Sequence, residues 1–180
     1  MSICKDFASP YNADMSSNLS KPRSVDRVRD YFSTCNVSIA IKEFPAGTRT
    51  AQQAADAVNA PLGSIVKSLV FIAGDKAVLA LVAGDRRADA AKIARQIGAA
   101  EARIANADEV RAHTSHVIGG VPPVAHPEKL ETLVDESLLR FKTVWAAAGT
   151  PHAVFEIDMQ KLIELTQGRV TDITEAADNM

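Results

Sequence analysis

Two apolar runs joined by a glycine and an aspartate constrain this chain more than any other feature. Residues 65–73 (IVKSLVFIA) and 76–83 (KAVLALVA) are nearly continuous in valine, leucine, isoleucine and alanine, with Gly74-Asp75 between them. Short apolar runs bounded by turn residues read as strands, and Gly-Asp at the junction reads as a hairpin turn. Neither run alternates apolar with polar, so both faces need cover. The hairpin therefore predicts the centre of a sheet with packed layers on each side.

The flanking sequence supplies those layers. Val25, Val28, Tyr31, Phe32 and Cys35 share one helical stripe, with Ser24 as a cap and Asn36 as a stop. A short strand is expected over residues 38–44. A helix follows from Thr50, which has capping-box spacing to Gln53 and an inner face of Ala51, Ala54, Ala55 and Val58. A third helix buries Ala90, Ile93, Ala94 and Ile97 and closes at Gly98. A short strand over residues 102–104 precedes a helix capped by Asn106 and Glu109. Residues 141–148 and 153–157 form a second hairpin-like pair. Asp158 caps a last helix that ends at Gly168, and residues 169–173 make a final strand. Hairpins mixed with helices, without strict βαβ alternation, predict an α+β domain over residues 24–180, with a curved, mixed and largely antiparallel sheet surrounded by helices. Residues 1–23 read as an N-terminal extension.

Composition excludes several functions. The chain has 180 residues and a formal charge of −2, with only 5% aromatics. A protein held to nucleic acid by bulk phosphate neutralisation would be basic, and a single-strand stacking platform would be richer in aromatics. No DNA partner is expected. No apolar run approaches the roughly 18 residues of a membrane span, and the N-terminus lacks signal-peptide order. The two cysteines, Cys4 and Cys35, have no metal-type spacing, so a disulfide framework is not expected and a cytoplasmic location is.

Two places can carry chemistry. Lys67 shares its strand face with Ile65, Leu69 and Phe71. A lysine so placed either reaches solvent at the strand end or holds an anionic or carbonyl group of a ligand. The second place is the stretch HVIGGVPPVAH, residues 116–126. Glycine lets the backbone approach a ligand closely, and proline fixes its neighbours. The loop is either an ordinary tight turn or a rigid frame whose N–H groups at Gly119, Gly120 and Val121 face an oxyanion. The histidines His113, His116, His126 and His152 make no HxxxH or HExxH pattern, so no metal site is expected. Asp135 reads as the opening of a short turn or helix. No serine or cysteine stands in a nucleophile setting.

With these residues in place the chain resembles the YbaK/ProX-type aminoacyl-tRNA deacylases, a family that also occurs as the editing insertion of bacterial prolyl-tRNA synthetases. The resemblance spans residues 25–175. It is carried by TAQQAADAVNAPLGSIVKSLVF, by VIGGVPPVAH with its GxxxP pattern from Gly119 to Pro123, and by VWAAAGTPHAVFEIDMQKLIEL. It implies hydrolysis of the ester that links a wrong amino acid to tRNA, without cofactor. The expected substrate is tRNA-Pro carrying a small wrong amino acid. By that resemblance Lys67, Gly119 and Gly120 are the catalytic candidates. Val121, Pro122, Pro123, His116, Asp135, Gly149 and His152 are the substrate-binding ones. The partner implied is the acceptor end of an aminoacyl-tRNA, with prolyl-tRNA synthetase or an elongation factor as weak associates. Many relatives carry serine or threonine where this chain has Pro122, and glycine where it has Ala125. The alternatives are a non-catalytic module that binds aminoacyl-adenosine or the acceptor end, and a hydrolase of another small activated ester.

Overall fold

The 65–83 hairpin is the centre of the molecule. The computed structural model describes residues 23–45 and 50–176. Strands β2 (Ile65–Ala73) and β3 (Lys76–Ala83) pair antiparallel along their whole length, from Val66 opposite Ala83 to Ala73 opposite Lys76. Gly74 takes φ +63° in the turn, a conformation that favours glycine. All six residues from Val78 to Ala83 are wholly inaccessible, so cover on both faces is real.

Around the hairpin lie α1 (Ser24–Thr34), β1 (Ile41–Glu43), α2 (Ala51–Val58), α3 (Ala90–Ile97), β4 (Ala102–Ile104), α4 (Ala107–Thr114), β5 (Glu131–Asp135), β6 (Thr143–Ala147), β7 (Ala153–Asp158), α5 (Met159–Thr166) and β8 (Arg169–Thr171). The eight described strands form one mixed sheet in the order β1-β7-β6-β2-β3-β5-β8, with β4 also on β2. The pairs β1/β7, β6/β7, β2/β3 and β2/β4 are antiparallel; β2/β6, β3/β5 and β5/β8 are parallel. The α+β expectation and the second hairpin both hold. Strand β5 was not foreseen. Its apolar part, Thr132 to Val134, is too short to show a period, and its parallel partners lie far away in the chain.

One sheet face packs against α1, α4 and α5 through Val28, Phe32, Val110, Met159 and Leu162. The other face carries Ile93 of α3 and Ala54 and Ala55 of α2. Capping is local and as read from sequence at three helices. Thr50 with Gln53 and Asn106 with Glu109 form capping boxes, and Asp158 accepts from the N–H groups of Gln160 and Lys161. Two ends differ. Arg23, not Ser24, is the N-cap of α1, and α5 stops at Gln167, which takes the left-handed conformation before Gly168. Cys35 is disulfide-bonded, against the expectation of no disulfide; the rest of that bridge, like most of the 1–23 extension, lies outside the described residues. No helix among the described residues is long and apolar enough to cross a membrane.

Candidate active site

Strand β2 changes partner partway along its outer edge. Near its start it pairs with β6, at Ile65 and Val66. Near its end it pairs with β4, at Phe71, Ile72 and Ala73. Between these, Lys67, Ser68 and Leu69 are paired on the β3 side alone. The sheet therefore forks along β2, and a cavity of about 260 Å³ occupies the fork. It is lined from one face by Ala54 of α2, Ile65, Trp145 and Val154, and from the other by Val66, Ser68, Val70, Ala105, Val110 and Ala146. Gly119, Val121 and Thr150 complete the wall, and Ile104 and Ile118, each 60% exposed, stand on its lining.

Lys67 is on this wall. Its Nζ donates to the Gly84 carbonyl at 3.3 Å and to the Arg86 carbonyl, so the ammonium is tied to the chain leaving β3. Burial holds its pKa below the ordinary lysine value; the charge of Asp85 opposes that and Arg87 adds to it. Lys67 is the only ionisable side chain among the described residues of the lining.

The 116–126 loop brings in two of its predicted contacts directly. The Gly120 N–H donates to the Val117 carbonyl at 2.9 Å, closing a turn in which Gly119 takes φ +82°. That bond occupies one of the three N–H groups expected to face an oxygen. The N–H groups of Gly119 and Val121 have no partner among the described residues, and both residues line the cavity. Gly120 stands just behind. A Cβ on it would lie 2.7 Å from the Thr150 Cα and 3.0 Å from the Pro151 Cδ, so the loop and the 149–152 turn touch backbone to backbone. Thr150 and Pro151, which line the cavity, were not foreseen as site residues.

The other candidates lie off the wall. Pro122 and Pro123 are buried behind it. His116 is buried and its Nδ1 donates to the Gly149 carbonyl at 3.2 Å, which pins the loop to the turn from a second side. Gly149 itself packs against Ser24 of α1. His152 is exposed; its side chain is not on the lining, while its carbonyl accepts from the Phe44 N–H. Asp135 is fully buried away from the cavity. It accepts from the N–H and hydroxyl of Ser137 and from the N–H of Ile173, which caps the short 3₁₀ turn Glu136–Arg140 and ties down the chain after β8.

His126 was passed over in the sequence and is packed edge-on to His116, ring centres 6.2 Å apart. Burial lowers the pKa of His116 to about 4, helped by the charge of Arg27, and that of His126 to about 3, helped by His116. Neither ring nitrogen of His126 finds a hydrogen-bond partner. Both are neutral props behind the loop. Among the described residues no three His, Cys, Asp or Glu gather as metal ligands would.

This arrangement can hold a small apolar group beside a carbonyl and offer that carbonyl backbone donors. No carboxylate, histidine or cysteine stands on its described walls. Comparisons with known proteins give the family. The aminoacyl-tRNA editing domain family matches residues 45–165. The uncharacterized protein YwhH of Bacillus subtilis is 35% identical over 148 residues, which are 82% of this chain and 94% of that protein. The proline–tRNA ligase of Lactobacillus johnsonii is 36% identical over 92 residues, 51% of this chain but 16% of that ligase. A crystal structure described as a candidate trans-editing enzyme for prolyl-tRNA synthetase superposes with a TM-score of 0.81 at 44% identity, covering 87% of this chain and 100% of the other.

Proposed function

Since this chain belongs to the aminoacyl-tRNA editing domain family, we propose that it is a trans-acting deacylase that clears a small wrong amino acid from tRNA-Pro. The observation that carries the proposal is the fork in the sheet. It makes an aliphatic cavity with the Lys67 strand on one side and two unpartnered N–H groups, of Gly119 and Val121, on another. An aminoacyl ester entering it would place its side chain among Ala54, Val66, Val110 and Ala146. Its carbonyl oxygen would meet the loop donors, which stabilise the charge that develops during attack by water.

Lys67 is the one described cation on the wall. Two of its three donors are held by carbonyls, which leaves one to meet an oxygen of the ester or the terminal ribose. With no carboxylate or histidine on the described walls, and Lys67 held as a donor by two carbonyls, the attacking water is positioned by the substrate itself, through the free hydroxyl of the terminal ribose. The aliphatic lining suits alanine or cysteine better than serine or threonine. One methylene in such a pocket is worth only about 1–3 kcal/mol, so neighbouring small amino acids are cleared at graded rates. The partner is the acceptor end of the tRNA, with prolyl-tRNA synthetase or an elongation factor as a weak supplier, and the place of work is the cytoplasm.

The test is deacylation of tRNA-Pro charged with Ala, Cys, Ser, Thr or Pro, by wild type and Lys67→Ala. The expected result is rapid loss of a small non-cognate amino acid and sparing of proline. Lys67→Ala should lose about tenfold or more, the size of one hydrogen bond from a charged group. A terminal 2′-deoxy substrate should be nearly inert. Measurable binding of the acceptor end with no hydrolysis across the panel would overturn the deacylase in favour of a binding module.

A further inference from the structure

Ser68 stands apart from the rest of the cavity lining. Its hydroxyl is sealed from solvent and makes no hydrogen bond, the only lining side chain among the described residues with an orphaned buried polar atom. Buried hydroxyls are almost always partnered, so an orphan on a residue that lines a cavity points to a ligand that reaches it when bound. Its backbone is in the same condition. The Val70 carbonyl accepts from the Ala105 N–H, so even-numbered backbone groups of β2 face the outer edge. Ser68 lies in the stretch where that edge has neither β6 nor β4 beside it. Its main-chain N–H and carbonyl therefore open into the fork.

The cavity thus offers two kinds of polar group. At Ser68 strand β2 presents two acceptors, the hydroxyl oxygen and the carbonyl, beside the Ser68 N–H, while the Lys67 side chain leaves the opposite face of the strand. The loop presents donors, the N–H groups of Gly119 and Val121. A free α-amino ester is the complement of that pair: an ammonium with three donors, one bond away from a carbon that bears a carbonyl. Resting on the deacylase reading above, we infer that Ser68 binds the α-ammonium of the aminoacyl group, and that the site accepts esters with a free amine and rejects N-acylated ones. N-acylation removes the charge and two of the donors, and places a bulky group against the β2 edge. Esters with the chemistry of a growing peptide or an N-formylated residue fall outside the substrate class.

The experiment compares the best small aminoacyl-tRNA-Pro with its N-acetylated form, for wild type, Ser68→Ala and Ser68→Thr, after melting curves show that each variant folds. Wild type should prefer the free amine by about tenfold or more in kcat/KM, the worth of one charged hydrogen bond. Ser68→Ala should raise KM for the free-amine ester by about as much and leave the acetylated one unchanged, collapsing the preference. Ser68→Thr, which keeps the hydroxyl, should restore it. An acetylated ester cleared as fast as the free one, or a preference untouched in Ser68→Ala, would overturn the inference. Calorimetry with a non-hydrolysable 3′-amide of aminoacyl-adenosine and its N-acetyl form separates the two readings. If wild type hydrolyses nothing yet binds the free-amine amide preferentially and Ser68→Ala does not, the deacylase fails and the ammonium site stands. Equal binding of both amides would sink the ammonium site alone.

Discussion

Strand β2 and the 116–126 loop wall the same cavity by opposite means. The strand makes room by losing neighbours: Lys67, Ser68 and Leu69 keep only β3, and the gap left by β6 and β4 is the fork. The loop makes its wall by being held on several sides. Gly120 is wedged against Thr150 and Pro151, His116 reaches the Gly149 carbonyl, and Val121 and Val124 sink into the core. The strand edge is thus held open by an absence and the loop by contacts. Substitutions on the strand wall should change what binds while sparing stability. Substitutions in the loop should change both.

Gly120→Ala should break that comparison most severely. A Cβ 2.7 Å from the Thr150 Cα meets backbone, which cannot rotate away. The loop must leave the 149–152 turn and carry the Gly119 and Val121 donors with it. The overpacking should lower the melting temperature by roughly 4–10 °C. Misplacing the donors by about an ångström should lower deacylation by about 100-fold. A melting curve and kcat/KM on the same sample check both. If activity falls and stability does not, the glycine serves the ligand rather than the contact with the turn.

Most of the scaffold was legible in the sequence because its signals are local. Thr50 with Gln53 and Asn106 with Glu109 announce helix starts within four residues, and Gly74-Asp75 announces the central hairpin. The Lys67 strand and the Gly119 loop were legible as candidate walls for a related reason: an ion among aliphatics and a Gly-Pro cluster each conflict with their surroundings. The fork was not legible. It depends on which distant strands leave β2 unpaired, and no period within residues 65–73 records that. For the same reason Ser68 looked like one more strand residue, and the engagement of Lys67 by the Gly84 and Arg86 carbonyls could not be seen. Asp135 was read both as the start of a turn, which holds, and as a binding residue. Burial with three hydrogen bonds from Ser137 and Ile173 leaves it to structure.

The histidine pair gives the loop a sensitivity to acid that the strand wall lacks. Unfolded histidine takes up a proton near pH 6.5, whereas His116 resists to about 4 and His126 to about 3. Between those values the unfolded chain holds more protons, so their contribution is intact above pH 6.5 and is lost as pH falls toward 4. One such group costs about 2–3 kcal/mol between pH 6.5 and 4.5. His126→Leu removes a ring whose nitrogens have no partner. It should leave stability at pH 7 unchanged or raised, and flatten the acid limb by about 5–10 °C at pH 4.5. Melting temperatures of the variant and wild type across pH 4.5–7.5 decide it. Parallel curves would mean that His126 takes up its proton at the same pH in the native loop as in the unfolded chain.

The smallest effect lies at Ala125, where the loop leaves the cavity. Its φ is +65°, in the left-handed region, where a Cβ crowds the following carbonyl and costs roughly 1–2 kcal/mol. Glycine takes that conformation at no steric cost. This chain holds an alanine in it because the contacts on either side, His116 to the turn and Val124 in the core, leave the backbone no other path. Ala125→Gly relieves the strain but loosens the unfolded chain, and the two effects oppose. The net expectation is a rise of about 1–3 °C in melting temperature with kcat/KM within about twofold of wild type. A fall in activity at unchanged or raised stability would show that the strained alanine stiffens the wall that carries Gly119 and Val121. In that case the loop's rigidity, and not only its shape, would be part of how the site holds its ester.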